Sequence, residues 1–176
     1  LLTKSDTFNH LVRERRSVRS FLSTPVPEEV IRHCLELAAL APNSCNLQPW
    51  EFMVIRNPVL LEKMQPVCLN QKAARAPLII AVLAKPNAWR TSCPDIIKYW
   101  PEATVPRAIQ SFYSRTAPFQ YDQGRFGIKG LAKKILTFFI GLKNPVMRSP
   151  SSHADMRLWA VKSCSLAAEN LMLAFQ

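Results

Sequence analysis

A chain of 176 residues that is 48% hydrophobic and 20% charged has the size and composition of one globular domain with a real core, which excludes a disordered or low-complexity protein. Its 23 lysines and arginines against 12 carboxylates leave a formal charge of +11, a field that attracts phosphates, dinucleotides, nucleic acid or acidic lipid without choosing among them. Five cysteines (34, 45, 68, 93 and 164), odd in number and with no Cys-x-x-Cys pair, argue against a disulfide framework and predict a reducing, cytoplasmic setting.

The first residues, Leu1-Leu2-Thr3-Lys4-Ser5-Asp6, hold no apolar signal core, and no stretch approaches the ~18 uncharged residues a membrane span needs, so the protein is expected to be soluble. Ser5 or Asp6 is placed to cap a first helix with Phe8, Leu11 and Val12 on one face. That helix runs into Arg13, Arg15, Arg16 and Arg19 with Ser17 among them, a set of guanidinium forks and a hydroxyl able to surround one phosphate; the plain alternative is a solvated helix end. Pro27, followed by Glu28 and Glu29, is expected as the first residue of a second helix, whose Val30, Ile31, Cys34, Leu35 and Ala38 recur at core intervals. His33 beside Cys34 lacks the further ligands of a zinc site.

Ala41 to Trp50 reads Ala-Pro-Asn-Ser-Cys-Asn-Leu-Gln-Pro-Trp. Pro42 and Pro49 stop the helix and stiffen the segment, while Asn43, Ser44, Asn46 and Gln48 donate and accept hydrogen bonds without charge, an inventory that suits a polar heterocycle. Trp50 to Ile55 is a strand by its aromatic and β-branched content, and Asn57-Pro58 starts a helix with Leu60, Leu61 and Met64 inward. Pro77 to Leu83 is an unbroken apolar run that predicts a strand buried on both faces.

From Lys85 to Ser152 prolines, aromatics and basic residues dominate, as in a lid or binding excursion whose aromatics line a pocket. Within it Ile135 to Leu142, bracketed by Lys133, Lys134 and Lys143, is expected to be a buried lid helix in preference to one resting on a lipid surface. Gly124, Gly127 and Gly130 read as a turn, since no strand precedes them. Asp155 to Gln176 is the strongest helix, with Met156, Trp159, Ala160, Ser163, Ala167, Asn170 and Ala174 on one face and a small-residue middle suited to a central or dimer-forming helix. No stop signal follows, and a helix cut in full stride is expected to continue into residues not present here. No P-loop, repeat or nucleophilic triad is visible, and no metal site is expected.

Arg15-Arg16-Ser17-Val18-Arg19-Ser20-Phe21, Pro25-Val26-Pro27-Glu28-Glu29 and Ala41 to Phe52 together resemble the FMN-dependent nitroreductase family, in order and specifically from Arg15 to Ile55 and more loosely through Asn70 to Pro77 and the last helix. The resemblance implies an α+β fold with a central, mostly antiparallel sheet flanked by helices, a single domain over 1–176 with 85–152 as a substrate-covering insertion, and a homodimer with FMN at the subunit interface. By position it implies that Arg15, Arg16 and Ser17 hold the phosphate and ribityl chain, and that Arg19 lies near the pyrimidine edge, where a cation stabilises the reduced ring. Pro42, Asn43, Ser44 and Asn46 would cover the ring from the partner subunit, and Asn70 and Lys72 resemble the pair that bonds the pyrimidine edge, with tighter spacing than usual.

The chemistry implied is ping-pong hydride transfer through flavin N5, from NAD(P)H to nitroaromatics, quinones or similar electron-poor compounds, with no obligatory protein acid or nucleophile. The rival readings are a flavin-binding protein of the same fold with a specialised or lost activity, and a basic nucleic-acid or membrane-surface module, ranked lower because no recognised nucleic-acid module is present.

Overall fold

The computed structural model describes residues 3–68, 75–146 and 149–176. In chain order the elements are α1 (Lys4–Glu14), α2 (Glu28–Ala39), β1 (Trp50–Ile55), α3 (Pro58–Met64), β2 (Ile79–Ala84), α4 (Trp89–Lys98), α5 (Arg107–Ser111), α6 (Ala117–Tyr121), α7 (Ile128–Gly141) and α8 (His153–Ala174). Among the described residues the strands form a two-stranded sheet. Lys85 N–H donates to Pro49 C=O at 2.9 Å, so the end of β2 lies beside the start of β1 and the pair is antiparallel. Among the described residues no helix is long and apolar enough to cross a membrane.

Local chemistry sets the helix starts. Thr3 caps α1: its hydroxyl accepts from Asp6 N–H while Asp6 reaches back to Thr3 N–H, a complete capping box. The cap is therefore Thr3, with the expected Asp6 serving as the third helical residue. Pro27 stands one position before α2 as its N-cap and not inside it, because its extended ψ of 145° is not helical. Asn57 caps α3 through Oδ1, which accepts from Val59 and Leu60 N–H. Ser152 Oγ accepts from Asp155 N–H, so α8 begins at His153, two residues before the sequence expectation.

Two compact units share the chain. The first comprises Leu1–Ala41, Glu51–Leu83 and Ser165–Gln176. Its core is Cys34, Ala38 and Leu171, with Leu35, Phe52, Ile80, Val82 and Ala174 packed around them. Asn170 Nδ2 donates to Leu37 C=O at 3.2 Å, fastening the second half of α8 to the end of α2. The second unit comprises Pro42–Trp50 and Ala84–Cys164, and its core is Leu47, Trp89, Cys93, Ala117, Tyr121 and Met156.

Three burial expectations change. β2 is only half-buried, with Leu83 at 39% exposure, since a two-stranded sheet leaves an edge and a face that a wider parallel sheet would cover. Leu60 on α3 is 50% exposed. Most consequentially, the run from Ile135 to Leu142 is not buried: Leu136, Phe138, Phe139 and Leu142 are 56–67% exposed. The side of α7 turned toward its own unit is instead Gly130, Lys133 and Thr137. Lys133, only 7% exposed, donates its ammonium to the carbonyls of Phe119, Gln120 and Asp122 at 3.4, 2.9 and 3.0 Å. Those are the orphan acceptors at the end of α6, and a cation there also meets the negative end of the helix dipole.

Candidate functional site

In the second unit the segment Pro42–Trp50 is a tightly wound loop. A short 3-10 turn spans Ser44–Asn46, and Cys45, Asn46 and Gln48 all have positive φ, at 57°, 48° and 44°. Asparagine tolerates the left-handed region, but cysteine and glutamine adopt it only when surroundings impose it.

The imposing groups are identifiable. Within the loop, Asn43 Oδ1 accepts from Gln48 N–H at 2.8 Å, and Gln48 Nε2 donates to Asn46 Oδ1 at 3.4 Å. Leu47 and Pro49 are fully buried anchors. From α4, Ser92 Oγ donates to Leu47 C=O at 2.7 Å. Tyr113 hydroxyl donates to Cys45 C=O at 3.1 Å, and Tyr121 hydroxyl donates to Ser44 Oγ at 3.2 Å and lies 3.6 Å from Cys45 Sγ. Cys164 Sγ meets Pro49 C=O at 3.5 Å.

The two tyrosines reach one loop because of a defect in their helix. Between α5 and α6, Phe112–Thr116 forms a π-helical turn, and Pro118 has no N–H to give the carbonyl of Ser114. Eight residues of ideal α-helix would set Tyr113 and Tyr121 roughly 80° apart, whereas one inserted residue returns them to nearly the same side.

Burial dominates the titration of this cluster. It raises the phenol pKa of Tyr113 and, further, that of Tyr121, while the hydroxyl of Ser44 opposes the rise at Tyr121, so both remain donors throughout the physiological range. The Cys93 thiol, 2% exposed and beside Cys45, is pushed up to about 11, again chiefly by burial.

Pro42, Ser44 and Asn46 are exposed, and Asn43 is half-buried. Asn46 and Gln48 also line a cleft of about 340 Å³ with Ser92, Asp95, Tyr99 and Trp100. Tyr99 is 69% exposed, and the indole Nε1 of Trp100 is buried without a protein partner. Trp100, Ser92, Tyr113 and Tyr121 carried no individual sequence signal beyond the aromatic richness of the excursion.

In the first unit, the arginine cluster follows α1. Arg15 is half-buried, and Arg16, Ser17 and Arg19 are exposed. Arg15 N–H donates to Leu11 C=O at 3.1 Å as the helix C-cap. Arg16 turns Nη1 back onto the carbonyls of Arg13 and Arg15, the latter at 2.9 Å, so the helix-end reading holds for that edge of its guanidinium. Asn70 and Lys72 lie outside the described residues. Among the described residues no group of three His, Cys, Asp or Glu side chains is arranged to hold a metal.

Comparison with known proteins gives a consistent picture. A family model described as the nitroreductase family matches residues 12–176. Protein DrgA of Synechocystis is 36% identical over 141 residues, covering 74% of this chain and 64% of that protein. An NADH dehydrogenase of Thermus thermophilus is 36% identical over 72 residues, 40% of this chain and 35% of the relative. The chain thus spans less than two thirds of the length of either. Among solved structures, an Exiguobacterium sibiricum protein assigned as a nitroreductase and solved in complex with FMN superposes with a TM-score of 0.65 at 22% identity, covering 95% of this chain and 68% of that one.

Proposed function

This chain belongs to the nitroreductase family and has its α+β fold, and on that premise we propose that it is an FMN-dependent NAD(P)H oxidoreductase that passes electrons in two half-reactions to nitroaromatic, quinone or similar electron-poor substrates. We further propose that it works as a cytoplasmic homodimer with FMN at the interface, a setting supported by five cysteines that are all free. The single observation that carries the reading is the Pro42–Trp50 loop, a turn with three left-handed residues that outside hydroxyl groups hold at Ser44, Cys45 and Leu47. FMN, when bound, supplies the hydride-accepting and hydride-donating chemistry; the protein supplies binding, orientation and charge.

The donor set suits that cofactor. With Tyr121 donating to Ser44 Oγ, the Ser44 hydroxyl would keep its own proton available to an acceptor on the cofactor. In the arginine cluster, the Nη1 edge of Arg16 is spent on helix carbonyls, so Nε and Nη2 form the fork offered to a phosphate, together with Arg15 and the Ser17 hydroxyl. Arg19, exposed and free of the helix end, is assigned to the pyrimidine edge, where its charge stabilises a ring that gains negative charge. Pro42, Asn43 and Asn46 are assigned to cover the ring, and Asn70 and Lys72 to hydrogen-bond the pyrimidine edge. The aromatic walls of the 340 Å³ cleft, Tyr99 and Trp100, are electron-rich faces suited to stacking on an electron-poor substrate.

An absorbance spectrum of the purified protein with FMN added, followed by NADPH turnover with menadione, tests the reading. Flavin bands that stay with the protein through desalting, and turnover that Arg19→Ala slows, are expected. A protein that remains colourless after incubation with FMN overturns it.

A further inference from the structure

α7 is amphipathic the wrong way round for a helix that belongs only to its own domain. At 100° per residue, Ile128, Leu131, Ile135, Phe138, Phe139 and Leu142 fall within an arc of roughly 100°. All six are more than half exposed, from 51% at Ile135 to 67% at Ile128 and Leu142. Gly130, Lys133 and Thr137 occupy the opposite side, and it is this polar side that the protein uses: Lys133 binds three carbonyls at the end of α6, and Gly130 N–H donates to Gln123 C=O at 3.2 Å. Ordinary core packing would have inserted the apolar arc and left the lysine in water.

Charge indicates what the outward arc meets. Lys134 borders it on one side, and Lys143 and the Asp122-paired Lys129 on the other. From Gln123 to Ala154 the sequence contains no carboxylate. Phe126, 85% exposed just before the helix, extends the apolar surface. Between α6 and α7 a groove of about 550 Å³ with Pro118, Phe119, Ala132 and Leu136 among its walls opens beside the Lys129–Asp122 ion pair, giving further apolar room at the helix. The helix is roughly 20 Å long, enough to lie in an interface and too short to cross one.

We propose that α7 is an in-plane membrane-docking helix, which sets its apolar arc into the acyl boundary of an anionic bilayer while Lys134 and Lys143 pair with lipid phosphates. A second copy of the chain is the poorer occupant. A twofold contact centred on α7 would set this patch against itself and bring these lysines together with no carboxylate between them. The inference stands apart from the redox reading, because lipid binding needs no flavin.

Sedimentation with large vesicles tests it, using phosphatidylcholine alone and phosphatidylcholine in which about one third is phosphatidylglycerol. The protein is expected to pellet with the anionic vesicles and stay in solution with the neutral ones, and raising salt to about 0.5 M should release it. Lys134→Gln and Lys143→Gln should each weaken binding about five-fold. The exposed pair Phe138→Asp and Phe139→Asp, with its fold checked by circular dichroism, should weaken binding by at least about ten-fold. As a second readout, Phe139→Trp should blue-shift its emission only with anionic vesicles. No binding to anionic vesicles, equal binding to neutral ones, or full binding by the double aspartate variant overturns the proposal. Loss of a dimer in that variant without any vesicle binding assigns the face to a second copy and also overturns it.

Discussion

Tyr121 joins the interior of the second unit to its strained loop: the ring packs against Trp159 with centroids 4.9 Å apart, and the hydroxyl reaches Ser44 and Cys45. Tyr121→Phe keeps the ring and removes the hydrogen bonds, so thermal unfolding should reveal a loss of about 1 kcal/mol, or ~2–4 °C in Tm. Because the loop is released at Ser44, FMN retention should weaken as well; an unchanged Tm with unchanged retention would show that the hydroxyl holds nothing. Cys93 carries a pH dependence. Its thiol pKa, 9.0 in an unfolded chain and about 11 in the fold, means that the folded state holds the proton longer. Stability should therefore be complete below pH 9 and fall as pH climbs from 9 through about 11, and Cys93→Ala should flatten that slope in urea titrations. At this scale the sequence displayed Asn43 and Ser44 through their type and spacing. It did not display Tyr121, which stands 77 residues from Ser44, because nothing local marks a tyrosine as the donor to a distant hydroxyl.

Elements were legible where their signals are local and illegible where a neighbour decides. Hydrophobic spacing identified α2 and α8, aromatic and β-branched content identified β1, and proline with its capping neighbours identified the starts of α2 and α3 to within a residue. An apolar run marked Ile135 to Leu142 as helical but left Gly130, which lies inside α7, in a turn, and it could not tell which side would be covered, since that depends on the carbonyls of α6 that Lys133 satisfies. Two glycines in α7 separate propensity from packing. A Cβ at Gly130 would overlap the Ser151 carbonyl oxygen and Gln123 Oε1, whereas Gly141 has open space around it. Gly141→Ala should stabilise by roughly 0.5–1 kcal/mol in chemical denaturation, while Gly130→Ala should destabilise by more than about 1 kcal/mol despite the better helix former. Equal shifts in one direction would refute the close approach. Asp122 ties the turn before α7 to its neighbours: its carboxylate accepts from Lys129 at 2.6 Å and from Gly124 N–H at 2.9 Å, with Arg90 3.7 Å away. The Lys129 bond leads in holding its pKa below the usual carboxylate value, followed by the Gly124 N–H. The resulting stability is present above pH 4 and is lost as pH falls through the lowered folded value, so Asp122→Asn should show a shallower acid limb.

Across the whole molecule, a charge of +11 is a prediction about ligands before it is one about any residue. The charge alone left phosphate, nucleic acid and lipid open, and it took the order of Arg15 to Arg19 and the Pro42–Trp50 loop to narrow the choice, because a field has no chemistry and a side-chain set does. FMN and riboflavin differ only in the phosphate, so comparing them isolates the arginine cluster from the ring-covering loop. If Arg15, Arg16 and Ser17 bind that phosphate, FMN should bind on the order of a hundred-fold more tightly than riboflavin, since two or more charge-assisted hydrogen bonds are at stake. The association rate of FMN should fall as salt rises through about 0.5 M while that of riboflavin stays flat, because only the charged ligand is steered and screened. Arg16→Ala should close most of the affinity gap while leaving riboflavin binding unchanged, since α1 retains its Thr3 cap and its Arg15 C-cap. Fluorescence quenching of each flavin measures both constants directly. Equal affinities for the two ligands would place the phosphate elsewhere and leave the arginines as a helix end, whereas a gap that survives Arg16→Ala would shift the role to Arg15, which caps the helix through its backbone N–H and not through its guanidinium.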